Sequence, residues 1–109
     1  NYMISPENAN KLIGDDSIVF LSIRKADDFA GGHIEGAINI PWGNEMQEDF
    51  DVLPMDKTSI VYCYSGQTAA QTVAAMRLMG YDAVSLSGGM GVEANDPIGW
   101  VNSGYDVAK

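Results

Sequence analysis

Three short runs of apolar and β-branched residues, 18–23, 59–62 and 83–86, constrain this chain more than any other feature. A strand with one wet face alternates polar and apolar residues, whereas 18–23, Ile-Val-Phe-Leu-Ser-Ile, is nearly continuous. Such a strand is covered on both sides, as in the parallel sheets of α/β proteins. Helix signals lie between the runs. Ser5-Pro6-Glu7 supplies a capping serine, a proline at the first helical position and an early carboxylate, which predicts a helix to Ile13, broken by Gly14-Asp15-Asp16. A short helix is expected over 26–30, and a brief strand over 37–40, stopped by Pro41, which cannot donate to a ladder. Residues 68–79 read as an alanine-rich helix with Gly80 as its C-terminal cap. Residues 42–58 are polar and acidic, with one helical turn expected over 44–48. Residues 91–97 read as loop, and 98–102 as a last amphipathic piece. Strands alternating with helices predict an α/β domain with a mainly parallel sheet.

The junction at 59–70 is where that architecture meets chemistry. An apolar strand ends at Cys63, the chain's only cysteine, and the helix starts at about Thr68. Open α/β sheets bind ligands at the carboxyl edge of their strands, so Cys63 is expected at the mouth of a pocket. The first amides of a helix lack partners within it, and their dipoles favour an anion. A thiol placed there ionises more readily, and the thiolate is the nucleophile. Gly66 can take positive φ, which lets successive N–H groups converge on one centre. The competing reading makes Cys63 a small buried hydrophobe that closes a strand. Spacing alone leaves both open.

Cys63-Tyr64-Ser65-Gly66-Gln67-Thr68 has the form C-x-x-G-x-T and resembles the active-site loop of rhodanese-like sulfurtransferases. Phe29-Ala30-Gly31-Gly32-His33-Ile34-Glu35-Gly36-Ala37-Ile38-Asn39-Ile40-Pro41 is similar to that family's F-x-x-G-H-I-x-G-A-x-N-I-P segment, and Leu86-Ser87-Gly88-Gly89-Met90 follows in the family's order. The resemblance implies a three-layer α/β domain over 1–109, with a mainly parallel central sheet of about five strands and helices on both faces. It implies that Cys63 takes the outer sulfur of a donor as a persulfide and passes it to an acceptor. The amides of Tyr64, Ser65, Gly66, Gln67, Thr68 and Ala69 would hold both thiolate and persulfide, with the Ser65 and Thr68 hydroxyls and the Gln67 amide adding hydrogen bonds. Neither an organic cofactor nor a metal is called for. The implied partners are a small-molecule or protein sulfur donor and a thiol or cyanide acceptor. The alternative within the same fold is a binding or regulatory module without turnover.

Two departures bear on substrate. Many thiosulfate-using members carry Arg or Lys in the loop, whereas residues 64–69 here have no positive charge. The chain as a whole has a formal net charge of -9, so a dianion is received poorly and weak thiosulfate activity is expected. The family often has Asp two residues before Arg24, where this chain has Ser22. Arg24 follows a strand at the cysteine's edge, where it either attracts an anion or pins a neighbouring loop. Trp42, Met46 and Tyr64 are candidates for a pocket rim. Phosphatase and arsenate reductase loops close with an arginine after five intervening residues to grip an oxyanion bidentately; here that position is Ala69.

The remaining candidates are weaker. His33, the only histidine, sits in a glycine-rich connection and reads as structural. One Cys and one His are too few for a zinc site, and Gly31-Gly32 and Gly88-Gly89 lack nucleotide-loop spacing. The acidic balance disfavours nucleic acid, and no apolar run reaches the length of a membrane span. The chain starts at Asn1, which is compatible with a processed product or a piece of a longer or tandem protein. Sequence alone assigns neither compartment nor oligomeric state.

Overall fold

The computed structural model describes residues 2–43, 50, 52–64, 67–91, 100–101, 104–105 and 107–108, the side chain of Gln67 excepted. The elements in chain order are β1 (Met3–Ile4), α1 (Pro6–Asn10), β2 (Ile18–Ser22), α2 (Ala26–Gly31), β3 (Ile38–Asn39), β4 (Thr58–Tyr62), α3 (Gln67–Leu78) and β5 (Asp82–Leu86). The strands form one sheet in the order β1-β5-β4-β2-β3, and every pair is parallel. β4 is the middle strand, with Val61 paired to Leu21 on one side and to Ser85 on the other. No described helix is long and apolar enough to cross a membrane.

The uninterrupted apolar runs are explained by two cores, one on each face of the sheet. Successive strand residues point to opposite faces. Leu21, Ile23, Val61, Cys63 and Ala83 accordingly join Ala69, Val73 and Met76 of α3, while Phe20, Ile60, Tyr62 and Leu86 join Ala9 of α1, Ile34, Met90 and Trp100. Along α3 the buried residues are Ala69, Thr72, Val73 and Met76. Their spacing of three and four lays one stripe on the sheet. Fully burying a side chain such as Val73 or Met76 is worth about 1.5–3 kcal/mol.

The helix ends follow local chemistry. The Ser5 hydroxyl accepts the Asn8 N–H at 3.2 Å, with Pro6 in the first turn. At the end of α3, Tyr81 N–H donates to Met76 C=O at 3.0 Å and Gly80 N–H to Arg77 C=O at 3.1 Å, with Gly80 at φ 100°. This is a Schellman ending, in which the left-handed residue lets the last carbonyls find donors.

Several expectations shift. The first helix stops at Asn10 rather than Ile13, because Leu12 N–H bonds Ala9 C=O and Ile13 N–H bonds Asn10 C=O. These three-residue steps tighten the chain into a turn, and Leu12 and Ile13 pack on the core from there. β3 shrinks to Ile38–Asn39. β1 was not anticipated, since two residues are too few to carry a period. The turn expected over 44–48, the loop over 92–97 and most of the piece over 98–102 fall outside the described residues. Trp100 itself is fully buried. Its N–H donates to Gly89 C=O at 3.0 Å, which returns it to the Gly-Gly turn, on the sheet face opposite Cys63.

Candidate functional site

Cys63 follows the last residue of the central strand, and α3 starts at Gln67. The strand–loop–helix junction expected from sequence is thus present at the carboxyl edge of the sheet. The turn after β5 lies against it: Met90 N–H donates to Cys63 C=O at 2.8 Å and Gly91 N–H to Tyr64 C=O at 2.9 Å. Positive φ at Gly88 and Gly89, 75° and 61°, makes that turn sharp enough to present both amides.

Cys63 is only 3% exposed and belongs to the core cluster on the α3 side. Its setting is more enclosed than the pocket mouth expected from sequence. The physical reason is its place in the alternation: one residue past the strand, it still points to the face that Val61 shares with α3. Ala69 is fully buried and Thr68 half-buried at the helix start, and Thr68 C=O accepts from the Thr72 hydroxyl at 2.9 Å. Ser65, Gly66 and the side chain of Gln67 lie outside the described residues, and the expected convergence of loop amides lies there with them.

Arg24 is occupied by α2. It donates to Gly32 C=O at 2.7 Å and to Asp28 C=O at 3.2 Å, which ties the end of β2 to α2 and to the residue after it. The hydroxyl of Ser22, where the family often has Asp, accepts the Arg24 N–H at 3.4 Å. Tyr62, beside Ser22 in the ladder, is fully buried and accepts the Ile34 N–H at 3.2 Å. Burial is the main cause that pushes its phenol above the ordinary tyrosine range, against the hydrogen bonds from Ile34 and Ser22 and the nearby Arg24 charge. Asn39 was not anticipated: its amide donates to Ser22 C=O at 3.1 Å and Arg24 C=O at 2.9 Å, tying β3 to the end of β2. Asparagine immediately before a strand-stopping Ile-Pro was the available signal.

Tyr64 leaves the loop and crosses to α2. Its ring lies 5.5 Å from the Arg24 guanidinium carbon, and its hydroxyl donates to Asp28 and accepts the Lys25 N–H. Lys25 and Asp28 escaped sequence reasoning, since Asp28 lies 36 residues from Tyr64. Trp42 is 52% exposed, and its N–H bonds Ile23 C=O at 2.9 Å, so it departs from the same edge as Arg24. Met46 lies outside the described residues. His33 is structural: its ring stacks on Phe29 at 4.0 Å, its Nδ1 meets Phe29 C=O at 2.9 Å, and its backbone pairs with Ala108.

Comparison with known proteins agrees with this arrangement. The thiosulfate sulfurtransferase GlpE of Pseudomonas putida is 34% identical over 88 residues, covering 79% of this chain and 78% of that protein. The putative thiosulfate sulfurtransferase SseB of Mycobacterium tuberculosis is 33% identical over 84 residues. The match covers 64% of this chain but only 30% of the length of SseB. The crystal structure of a rhodanese-related protein from Thermoplasma volcanium superposes with a TM-score of 0.83 at 26% identity, covering 99% of this chain and 98% of that one. The family model of the rhodanese-like domain matches residues 5–92, a span that runs from the cap of α1 through the cysteine junction to the turn against it, and the chain belongs to that family.

Proposed function

We propose that the chain moves sulfane sulfur through a persulfide on Cys63. The observation that carries this reading is the placement of the only cysteine between the central strand and α3, in a fold whose relatives include named thiosulfate sulfurtransferases. In the first half-reaction the Cys63 thiolate attacks the terminal sulfur of a donor. The bond from that sulfur to the rest of the donor breaks, and its electron pair leaves with the remnant: sulfite from thiosulfate, or pyruvate enolate, later protonated, from mercaptopyruvate. In the second, an acceptor thiolate or cyanide attacks the outer sulfur and the Cys63 thiolate departs with the bonding pair. Both resting and loaded forms carry negative charge on sulfur. The first amides of α3, which have no partner within the helix, with Thr68 and Ala69 in its first turn, favour that charge without a cation. The proposal extends by residue type to the Ser65 hydroxyl and the Gln67 amide as further donors, and to Gly66 as the residue that tolerates positive φ.

Charge sets the donor preference. Residues 64–69 carry no cation, and the Arg24 guanidinium is directed to the carbonyls of Asp28 in α2 and of Gly32 just after it. Thiosulfate, a dianion, then meets a negative domain with no compensating charge in the loop, while singly charged donors or protein persulfides meet less repulsion. Steady-state turnover to cyanide tests this. The expected result is a higher kcat/KM with mercaptopyruvate than with thiosulfate, both abolished in Cys63→Ser. Brisk thiosulfate turnover at low KM would overturn the donor preference. Absence of turnover with every donor would favour the binding-module reading.

A further inference from the structure

Helix α2 begins without a cap of its own. Its N-cap residue, Lys25, makes no side-chain capping bond, yet the first N–H groups of any helix lack intrahelical partners. In a capping box, the side chain of the third helical residue reaches back to the N-cap N–H. Asp28 holds that third position, and the hydroxyl of Tyr64 stands between the two groups: it accepts the Lys25 N–H at 3.3 Å and donates to Oδ2 of Asp28. A residue from the cysteine loop thus completes a capping box on another element.

The same residue is held at two further points. Its ring faces Arg24, whose guanidinium donates to the carbonyls of Asp28 and Gly32 and so braces α2 along its length. Its backbone carbonyl accepts Gly91 N–H. Partial burial first, and the bond to Asp28 second, hold the phenol above the ordinary tyrosine range.

We propose that Tyr64 is a positioning residue: by capping α2 from outside, its hydroxyl fixes the residue adjacent to Cys63, so that the order of α2 and the setting of the cysteine loop form one coupled unit. The catalytic consequence rests on the sulfur-transfer reading; the coupling itself does not. Tyr64→Phe keeps the ring and removes only the hydroxyl. In the full chain, amides of residues 26–31 should exchange about fivefold faster, the factor that loss of a typical cap carries. Alkylation of Cys63 by iodoacetamide should change at least threefold in rate, and persulfide formation should slow with donor KM unchanged. Asp28→Ala should reproduce these effects, and the double variant should be no worse than either single one. Asp28→Asn retains an acceptor and should stay within about twofold of the wild type. A folded Tyr64→Phe with unaltered exchange in α2 overturns the proposal. So do faster exchange with unaltered alkylation, and single-variant effects that multiply. If the wild type takes up no sulfur, the functional reading falls, and exchange with alkylation still decides the coupling.

Discussion

Replacing Gly80 by alanine isolates the conformational demand that ends α3 and sets the start of β5. Gly80 sits at φ 100°, where an L residue is strained by about 1–2 kcal/mol. Alanine recovers roughly 0.4–1 kcal/mol by restricting the unfolded chain. The added Cβ would lie 3.2 Å from the terminal methyl of Met55. That methyl ends a flexible side chain that is 53% exposed, so it can swing away and contributes little. The net expectation is a loss of about 1 kcal/mol. With an unfolding entropy of roughly 2.1 cal/mol/K per residue over 109 residues, the melting temperature should fall by about 4 °C. Urea unfolding should give a lower midpoint with an unchanged slope. The cause is separable by a double-mutant cycle with Met55→Ala. If φ dominates, Gly80→Ala loses the same amount in either background. Full rescue by Met55→Ala would place the cost in the Met55 contact, and a Gly80→Ala protein as stable as the parent would show that φ at this position carries no strain.

The buried polar groups supply three further tests. Tyr81 donates to Phe50 C=O at 2.9 Å in the core, so Tyr81→Phe should cost about 1–3 kcal/mol in urea unfolding by leaving that carbonyl without its donor. Ser59 is fully buried and its hydroxyl finds no hydrogen-bond partner among the described residues; Ser59→Ala should therefore be neutral or stabilising by up to about 1 kcal/mol, and a clear loss would reveal a partner. Tyr62 and Tyr64 both have phenols raised above the ordinary tyrosine value of 10.0. The folded state holds these protons more tightly than the unfolded one, so their contribution is complete below pH 10 and is lost as pH rises through the raised folded values. Unfolding followed between pH 9 and 12 should show this alkaline loss, and Tyr62→Phe should flatten it.

The parts of the fold readable from sequence are those set by local chemistry. The Ser5 cap, the Gly80 ending and the three doubly buried strands each depend on residues within a few positions of one another. β1 was invisible because pairing with β5, not any period of its own, makes Met3–Ile4 a strand. The premature end of α1 follows from where Leu12 and Ile13 pack, which no helical propensity records. At the candidate site the sequence located the cysteine junction and left Arg24 with two roles. The bonds from Arg24 to Gly32 and Asp28 appear only in the folded chain. The Tyr64 link to Lys25 and Asp28 and the Asn39 bridge are long-range, and composition carries no trace of either.

Sulfur uptake by Cys63 is read from the intact mass of the full chain after incubation with mercaptopyruvate, with thiosulfate and with a protein persulfide, before and after cyanide. The expected result is a gain of one sulfur atom from at least one donor, removed by cyanide and absent in Cys63→Ser. No adduct from any donor, or an adduct that persists in Cys63→Ser, would rule out a Cys63 persulfide.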